Sequence, residues 1–371
     1  MEKIWNKITK AGNPGRAYAF VLPLLRQLPP EAAHHLSLKL IGMVPWSMLP
    51  INQPEKNARF DCLGLSFPNR VGLAAGFSKN AEALTGLFAL GFGFVEIGSV
   101  TPRPQPGNPK PRVFRLPKDH GLINRYGFNS QGHDVVYRRL ANWRDAAAKR
   151  GFGGIVGVNL GKNKDSEGER ALRDYADGVK LFAGLADYLV INISSPNTPG
   201  LRAWQAKAAL QPLLASVLAA RAQAASKPPL LLKIAPDLTL PELAELVELS
   251  LELNIDGLIV GNTTISRPEG LHAVPATLAQ QGGLSGAPLM PLSTQILAAA
   301  RRMAGAKLPI IGVGGISSAA DAATKFDAGA TLIQLYTGLI YNAGLLPALL
   351  AQDKAAIAPL ANRAAGHTNR A

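Results

Sequence analysis

The chain has 371 residues, 47% of them apolar and only 17% charged, which excludes an extended disordered protein and leaves room for one large domain or two. Its single cysteine, Cys62, excludes an intrachain disulfide and a cysteine-based metal cluster. The formal net charge of +14 raises nucleic acid, anionic lipid and anionic substrates as partners. The basic residues are scattered, however, without a dense run interleaved with aromatic residues, so nucleic acid is disfavoured.

The N-terminal region predicts a helical hairpin. Residues 1–16 are basic and contain glycine and proline, and they predict a flexible terminus. Apolar residues then recur at helical spacing over 17–28 and 31–42, and Pro29 and Pro30 separate the two runs. The predicted hairpin, 17–50, carries more apolar surface than it can bury within itself. It either packs on the main domain or lies on a membrane surface, with Arg16, Arg26 and Lys39 near its edges.

Neither a membrane-spanning helix nor a cleaved signal peptide is predicted. No uninterrupted apolar stretch reaches about 20 residues, the length that crosses a bilayer. The basic N-terminus is not followed by a long apolar segment that ends in a small-residue cleavage site.

The rest of the chain alternates between strand and helix patterns. Strand candidates lie near 71–75, 94–98, 155–160, 188–193, 230–234, 257–261, 309–313 and 331–336. Helical patterns lie near 80–91, 131–149, 168–186, 203–224, 240–253, 289–304, 317–328 and 344–352. Such alternation requires parallel strands with right-handed crossovers, and eight units predict a (β/α)8 TIM barrel over 51–353. A doubly wound open sheet is the alternative. Residues 50–60 predict a linker, and residues 354–371 a loosely ordered tail.

Polar residues at strand ends are candidate site residues, because barrel active sites lie at the carboxyl ends of the strands. The buried run that starts at Tyr188 ends in Asn192, Ser194, Ser195, Asn197 and Thr198. The competing interpretation of these residues is a Ser/Asn-rich turn that caps the next helix.

Two further strand ends indicate charge recognition. Lys233 lies in an otherwise apolar strand, so it is either paired, functional or near the solvated strand end. Gly314 and Gly315 follow the seventh strand and open a helix, a position that favours a phosphate-bearing ligand. The segment 282–286, rich in glycine, predicts a flexible loop before that strand.

A long loop over 101–129 is stiffened by prolines and carries Asn124, Arg125 and Asn129. Amide and guanidinium groups of this kind suit an anionic, amide-containing substrate. The same loop is also expected to cover the mouth of the barrel.

These segments together resemble the dihydroorotate dehydrogenase family, and within it the membrane-associated, quinone-using class (class 2). The similarity runs from about residue 30 to about 350. Its most specific segments are Val100-Thr-Pro-Arg-Pro-Gln-Pro-Gly-Asn108, Ile123-Asn-Arg-Tyr-Gly-Phe-Asn129, Asn192-Ile-Ser-Ser-Pro-Asn-Thr-Pro-Gly200, Lys233-Ile-Ala-Pro-Asp237, Gly282-Gly-Leu-Ser-Gly286 and Gly312-Val-Gly-Gly-Ile316.

The resemblance implies an FMN-dependent oxidoreductase that converts (S)-dihydroorotate to orotate in pyrimidine (UMP) synthesis. Ser195 corresponds to the base that removes the proton from C5, while hydride leaves C6 for the flavin N5. The expected substrate contacts are Lys79, Asn124, Arg125, Tyr126, Gly127, Phe128, Asn192, Asn197, Asn262 and Thr263. The expected FMN contacts are Ala75, Gly76, Phe77, Ser78, Lys79, Ser99, Asn159, Asn192, Lys233, Gly261, Gly286, Gly314, Gly315, Tyr336 and Thr337.

The same resemblance implies a quinone tunnel in the N-terminal hairpin, with His34, Arg115 and Tyr336 at the quinone site. It thereby favours the membrane interpretation of the hairpin over plain packing. The expected partners are a ubiquinone-type quinone and an anionic membrane surface, with no metal and no obligate protein partner. The expected location is peripheral, on the cytoplasmic face of the inner (cell) membrane.

Two positions depart from the family pattern. Ser78 stands where many relatives carry an aspartate, and Gly261 replaces a more usual threonine. The soluble class uses cysteine at the position of Ser195, and Cys62 lies far from that loop in sequence. The competing functions are a related FMN barrel enzyme that uses fumarate or NAD as acceptor, and a non-catalytic flavin- or phosphate-binding barrel that acts as a membrane-bound interaction protein.

Overall fold

The structure is a computed structural model that describes the backbone of residues 14–49 and 59–368 and the side chains of residues 21–49 and 59–356. The predicted linker, 50–60, lies outside these ranges except at its C-terminal end. Most of the predicted flexible terminus also lies outside them, and residues 14–16 belong to the first helix. The domain boundaries proposed from the sequence remain predictions.

Eight parallel strands close into a barrel. In chain order they are β3 (Val71–Leu73), β4 (Phe94–Val100), β7 (Ile155–Leu160), β8 (Tyr188–Asn192), β9 (Leu230–Ile234), β10 (Gly257–Val260), β12 (Ile310–Val313) and β13 (Leu332–Leu335). Each strand pairs with the next in this order, and β13 pairs with β3 to close the ring. The (β/α)8 prediction is confirmed, and the open-sheet alternative is wrong.

Helices cover the outside of the barrel. Those that return between strands are α3 (Leu84–Ala89), α4 (His133–Ala148), α5 (Gly168–Phe182), α6 (Lys207–Gln223), α7 (Leu240–Glu252), α9 (Met290–Ala304) and α10 (Ala319–Asp327). Two short helices, α8 (Pro275–Leu278) and α11 (Gly338–Tyr341), lie in connections. Because the strands are buried on both faces, they appear in the sequence as continuous apolar runs.

The last helix is longer than predicted. It was expected to end near residue 352, but α12 runs over Leu345–Thr368, so the expected tail has a helical backbone as far as Thr368. The part before the tail is fixed to the barrel, since the buried carboxylate of Asp353 accepts from Nε of Arg70 at 2.6 Å and from its backbone N–H at 2.8 Å.

The predicted helical hairpin is present as α1 (Pro14–Gln27) and α2 (Pro30–Gly42). Arg115 holds it to the barrel by donating to carbonyl oxygens at the end of α1, at 2.6 Å for Leu28. Arg112 donates to the Glu31 carboxylate at the start of α2, at 2.7 Å. Large apolar side chains nevertheless stay exposed on the hairpin: Leu24, Leu28, Leu36 and Met43. In the described part of the chain, no helix has the length and apolar character needed to cross a membrane.

Two small sheets cap the barrel, and one of them corrects the sequence interpretation. The segments predicted as loops contain β5 (Val113–Leu116), β6 (Gly121–Asn124) and β11 (Gly283–Gly286), which form an antiparallel sheet in the order β11-β6-β5. Their short length and many glycines hid the strand pattern. The hairpin of β1 (Phe60–Cys62) and β2 (Leu65–Phe67) packs Phe67 against Phe94 at the other end of the barrel. Cys62 is half-buried there, and burial raises the pKa of its thiol to about 11.

Candidate active site

A cavity lies at the carboxyl ends of the barrel strands, between the strand ends, the β5-β6-β11 sheet and α2. It collects most of the side chains expected from the sequence. The expected substrate residues that line it are Lys79, Asn124, Tyr126, Gly127, Phe128, Asn192, Ser195, Asn197, Asn262 and Thr263. The expected cofactor and quinone residues that line it are His34, Ala75, Gly76, Ser99, Lys233, Gly286, Gly314, Gly315, Tyr336 and Thr337.

Six expected residues do not line the cavity, and each has another structural contact. Arg125 supports the substrate loop by donating to the Pro111 carbonyl at 2.8 Å, and its guanidinium stacks on Phe114. Arg115 holds α1 instead. The remaining four are Phe77, Ser78, Asn159 and Gly261, whose positions are described below.

Ser78 and Gly261, the two departures from the family pattern, both face protein atoms. The fully buried Ser78 hydroxyl accepts from the backbone N–H of Glu82 at 3.0 Å, which orders the turn before α3. A Cβ on Gly261 would lie 2.3 Å from the carbonyl oxygen of Val313. A threonine at position 261 would therefore require this backbone to shift.

A network of amides and a hydroxyl fixes the bottom of the cavity. Asn192 donates to the Ser99 hydroxyl at 2.8 Å and to Oδ1 of Asn159 at 3.1 Å, and Ser99 also bonds to Asn159. Asn159 is fully buried and acts on the cavity through these partners. The network spans three neighbouring strands, β4, β7 and β8, so it also fixes their relative positions.

A carboxylate that the sequence analysis did not assign to the site lies beneath this network. Glu96 is fully buried, and it accepts from Asn159 at 2.8 Å, from Gln334 at 2.6 Å and from Lys233 at 3.5 Å. Lys233 of β9, an isolated lysine in an apolar strand, is thus paired, and its side chain still lines the cavity. The inward-facing alternation of β4 and β13 was the available signal for Glu96 and Gln334.

Ser195 lies at the end of β8, on the wall of the cavity, and is 7% exposed. Its hydroxyl accepts from the backbone N–H of Asn197 at 3.2 Å. Asn262 donates to Ser194 at 2.8 Å, and Asn197 donates to Asn124 at 3.5 Å. These bonds link the β8 end to the β6 and β10 ends, so the Ser/Asn segment is more than a helix cap.

Lys79 brings an incompletely balanced positive charge to the cavity. Its ammonium lies 4.0 Å from the centre of the Tyr126 ring. Burial lowers the pKa of Lys79 to about 8, an effect that the more distant charge of Glu82 partly offsets. An anionic group in the cavity would stabilise the ammonium, so the site is suited to a carboxylate ligand.

Two of the three expected quinone residues, His34 and Tyr336, lie where α2 meets the cavity. His34 packs against Phe77 in an edge-to-face arrangement, with ring centres 5.2 Å apart, and Phe77 packs against Tyr336 at 5.8 Å. Burial, together with the nearby Lys79 charge, lowers the pKa of His34 well below its usual value. A neutral imidazole among aromatic rings makes this branch of the cavity less polar than the Ser195 branch.

The glycine turn after β12 carries backbone donors without an acceptor at the wall of the cavity. The N–H groups of Gly314 and Gly315 have no acceptor among the described residues. A Cβ on Gly315 would lie 2.3 Å from Cα of Met290, so this glycine is required by the close approach of α9. The turn therefore supplies anion-binding groups on one side and close helix packing on the other.

The fold and the cavity together define a (β/α)8 barrel with a polar ligand site and an anion-binding turn at the carboxyl ends of its strands. A sequence model of the dihydroorotate dehydrogenase family matches residues 58–353. The chain belongs to the dihydroorotate dehydrogenase family.

Proteins of the same family are similar to this one in sequence and structure along most of the chain. It is 51% identical over 340 residues to a dihydroorotate dehydrogenase (quinone) of Rhodopseudomonas palustris, covering 91% of this chain and 90% of that protein. It is 51% identical over 336 residues to a protein of the same name from Parvibaculum lavamentivorans, covering 90% and 92%. The crystal structure of DHODH in complex with ferulenol from Eimeria tenella superposes with a TM-score of 0.82 at 39% identity, covering 92% of this chain and 95% of that one.

The residues present fit an FMN group. Buried polar atoms at the cavity lack protein partners, namely Oγ1 of Thr263 and Oε1 of Gln334. The free N–H groups of Gly314 and Gly315 add donors suited to a phosphate. A heterocycle with donors and acceptors along its edge, joined to a phosphate, matches both sets of groups.

Proposed function

We propose how the cavity residues divide the work of the family's reaction, the FMN-dependent oxidation of dihydroorotate to orotate with a quinone as electron acceptor in pyrimidine biosynthesis. Bound FMN supplies the redox chemistry, accepting two electrons from the substrate and delivering them to the quinone. The chain's own residues bind and orient the substrate, take up its proton, and separate the substrate branch of the cavity from the quinone branch.

Ser195 is the proposed base for the proton at C5 of dihydroorotate. The observation that carries this assignment is its position, a nearly buried hydroxyl on the cavity wall among the amides of Asn124, Asn192, Asn197 and Asn262. A serine hydroxyl is a weak base unaided, so water must be excluded and its proton relayed onward. Thr198, three residues later, places a buried hydroxyl without a hydrogen-bond partner on the same loop.

Substrate binding is assigned to charge and amide complementarity. Lys79 is the proposed partner of the dihydroorotate carboxylate, since its ammonium lies in the cavity and forms no ion pair with a carboxylate of the described residues. The side chains of Asn124, Asn197, Asn262 and Thr263 offer the donors and acceptors that the ring amides require. The role of Arg125 is indirect, because its guanidinium holds the substrate loop from behind.

FMN binding is assigned to three groups of residues. Lys233, paired with Glu96, is the proposed neighbour of the flavin ring, where its ammonium would offset negative charge on the reduced form. Gly314, Gly315 and Thr337 are proposed to bind the phosphate. Ala75 and Gly76, at the end of β3, are proposed to contact the ring through their backbone.

The hairpin α1–α2 is proposed to deliver quinone from a membrane surface to the His34, Phe77 and Tyr336 side of the cavity. Its exposed leucines and the exposed Lys39 suit the interface with anionic lipid. Arg26 instead donates to the carbonyl oxygen of Ile340 at 2.8 Å and holds the hairpin to the barrel. The proposed location is accordingly the cytoplasmic face of the inner membrane, as a peripheral protein.

One experiment tests the proposed reaction as a whole. The purified protein should be yellow, should bleach on addition of dihydroorotate without oxygen, and should regain its colour with ubiquinone faster than with fumarate or NAD. Fast recovery with fumarate or NAD would instead support the related soluble enzymes. A colourless protein, or one that dihydroorotate does not bleach, would contradict the proposal.

A further inference from the structure

A fully buried lysine lies behind the glycine turn that follows β12. Lys325 belongs to α10, which packs on the outside of the barrel, and its side chain is 0% exposed. Burying an ammonium group destabilises a protein unless an anion or a full set of acceptors surrounds it. The proposed reaction gives Lys325 no role, and the residue contributes no surface to the cavity.

The polar contacts of Lys325 within the protein are sparse. Its ammonium donates to Oγ of Ser293 at 2.7 Å, and no carboxylate of the described residues lies within ion-pair distance of it. Asp321, one turn earlier in α10, is the charge that faces it. That carboxylate already accepts from the backbone N–H and hydroxyl of Ser317, at 2.9 and 2.8 Å.

Other charged groups packed around α10 are engaged elsewhere. Arg301 of α9 donates to the carbonyl oxygens of Gly329 and Gly305. Arg70 stacks on Phe326 and pairs with Asp353. The buried ammonium therefore lacks a full negative countercharge within the described protein.

The missing countercharge has a natural place on the other side of the glycine turn. Ser293 Oγ lies 3.0 Å from the carbonyl oxygen of Gly314, and a Cβ on Gly314 would lie 3.2 Å from the same hydroxyl. Gly314 itself lines the cavity. Lys325 is thus one layer of protein behind the free N–H groups of the turn, and Ser293 and the Gly314 peptide connect the two sides.

We propose that Lys325 is a positioning residue for the cofactor phosphate, a buried countercharge that acts through Ser293 and the Gly314 peptide. This inference rests on the proposed placement of the FMN phosphate at Gly314 and Gly315. The phosphate supplies the negative charge that the buried ammonium lacks, and the ammonium makes the turn selective for a dianion over a neutral group.

The protonation of Lys325 follows from this arrangement. Without a phosphate, burial lowers the pKa of Lys325 to about 7, although Asp321 opposes the shift. A dianion on the cavity side of Gly314 raises this pKa again. Above about pH 7, Lys325 then keeps its proton in the FMN-bound protein but loses it in the apoprotein. Binding therefore requires uptake of a proton, and FMN affinity should fall as the pH rises above about 7.

The test compares FMN with riboflavin, which has the same ring system without the phosphate. In Lys325→Met, a substitution of similar length without the charge, FMN affinity should fall about tenfold or more, the effect of one charge across a short distance inside a protein. Riboflavin affinity should change by less than about twofold, within the usual range for a substitution away from the ligand. Release of FMN from the full-length holoenzyme, followed by flavin fluorescence, should accelerate accordingly.

Equal losses for FMN and riboflavin in Lys325→Met would show a merely structural role and overturn the inference, as would an unchanged FMN affinity. Thr337→Val separates this failure from failure of the proposed phosphate position. Thr337 lines the same cavity as Gly314 and Gly315. If Thr337→Val weakens FMN selectively and Lys325→Met does not, the phosphate position stands and the role of Lys325 falls. If neither variant discriminates, the phosphate position itself is wrong.

A measurement on the unmodified chain does not depend on how the variants fold. Calorimetric titrations of the full-length apoprotein with FMN at pH 8, in two buffers with different ionisation enthalpies, should show net proton uptake. At this pH the FMN phosphate is already a dianion, because its second pKa is about 6. Riboflavin should show less uptake by the same method. The absence of any difference between FMN and riboflavin would contradict the proposed coupling.

Discussion

The barrel cavity and the N-terminal hairpin differ in which side chains they bury and which they expose. Around the cavity, polar groups are buried and mostly bonded to one another, as Glu96 is to Asn159, Gln334 and Lys233. On the hairpin, apolar groups are left exposed, with 61% of Leu24 accessible. The first pattern fixes the relative positions of polar groups, and the second leaves an apolar surface open to the surroundings. In the proposed function, substrate oxidation and membrane contact therefore use separable parts of the chain.

The largest effect is expected at the cavity, from the substitution Ser195→Ala. Flavin reduction by dihydroorotate should slow about a hundredfold or more, the scale set by loss of a positioned base. Bound FMN should remain, because the cofactor groups are untouched, and stopped-flow absorbance measures both quantities. Ser166→Ala is the matched control, since this buried serine lies outside the cavity. Reduction at nearly the normal rate in Ser195→Ala would refute the assignment.

One of the contacts that join the two regions, the Arg112–Glu31 ion pair, should be broken by Glu31→Gln. Arg112 is nearly buried, and its ion pair with Glu31 would be replaced by a hydrogen bond to a neutral amide oxygen, beside the carbonyl acceptors of Pro106 and Asn108. Loss of the charge from this contact should destabilise the docked hairpin by about 2 kcal/mol. Hydrogen exchange of α2 measures this change, and exchange in the barrel strands should stay the same.

The same contact predicts a dependence on pH. Burial alone raises the pKa of Glu31, but the hydrogen bond and charge of Arg112 outweigh burial and lower it. A lowered carboxyl pKa contributes stability that is present above the ordinary value of 4.5 and lost as the pH falls through the folded-state pKa. The wild-type protein and Glu31→Gln should therefore become alike in acid. An equally large difference at acidic pH would contradict the ion pair.

Replacing exposed leucines of the hairpin tests the proposed membrane contact. The triple variant Leu24→Gln, Leu28→Gln, Leu36→Gln should bind anionic liposomes about tenfold less tightly, a conservative estimate for three apolar side chains. Flavin reduction by dihydroorotate should not change. Leu240→Gln is the matched control, because Leu240 is also half exposed but lies on a barrel helix. Unchanged liposome binding in the triple variant would remove the membrane role of the hairpin.

The smallest expected effect concerns Lys79. An anionic ligand should bind Lys79 in its protonated form. Because the pKa of Lys79 without a ligand is about 8, ligand affinity should fall as the pH rises through that value. Orotate affinity, measured from flavin absorbance changes, should fall about threefold to fivefold between roughly pH 7 and 8.5. Lys79→Met should bind orotate weakly with little dependence on pH in this range. A pH-independent affinity in the wild-type protein would rule out Lys79 as the carboxylate partner.

Local patterns predicted the elements that depend on burial alone. The strands are apolar because both faces are covered, so their positions were evident in the sequence, as at β8 and β9. Their boundaries were less certain where a turn competes with a helix. The pattern over 80–91 predicted one helix, but the Ser78–Glu82 bonds order a turn and α3 begins only at Leu84.

Candidate site residues were predictable where a polar side chain ends an apolar strand, as with Ser195 and Lys233. Sequence position could not say which way a loop side chain points. Arg125 and Tyr126 are adjacent in one loop, yet Tyr126 lines the cavity and Arg125 turns away to Gln280 and Pro111.

The sequence by itself determined the eightfold alternation, the helical hairpin and the strand ends that carry polar groups, because each is a local property of hydrophobic pattern and chain geometry. Tertiary structure alone decided which charged and polar groups contact one another. Glu96 and Gln334 are separated by 238 positions and lie 2.6 Å apart, and Lys325 lies behind Gly314 through Ser293 of another helix. Closure of the barrel brings Glu96 of β4 and Gln334 of β13 together in its interior. Packing of α9 on β12 and α10 brings Lys325 close to Gly314. Both events bury polar groups, where an unpaired charge is most unfavourable.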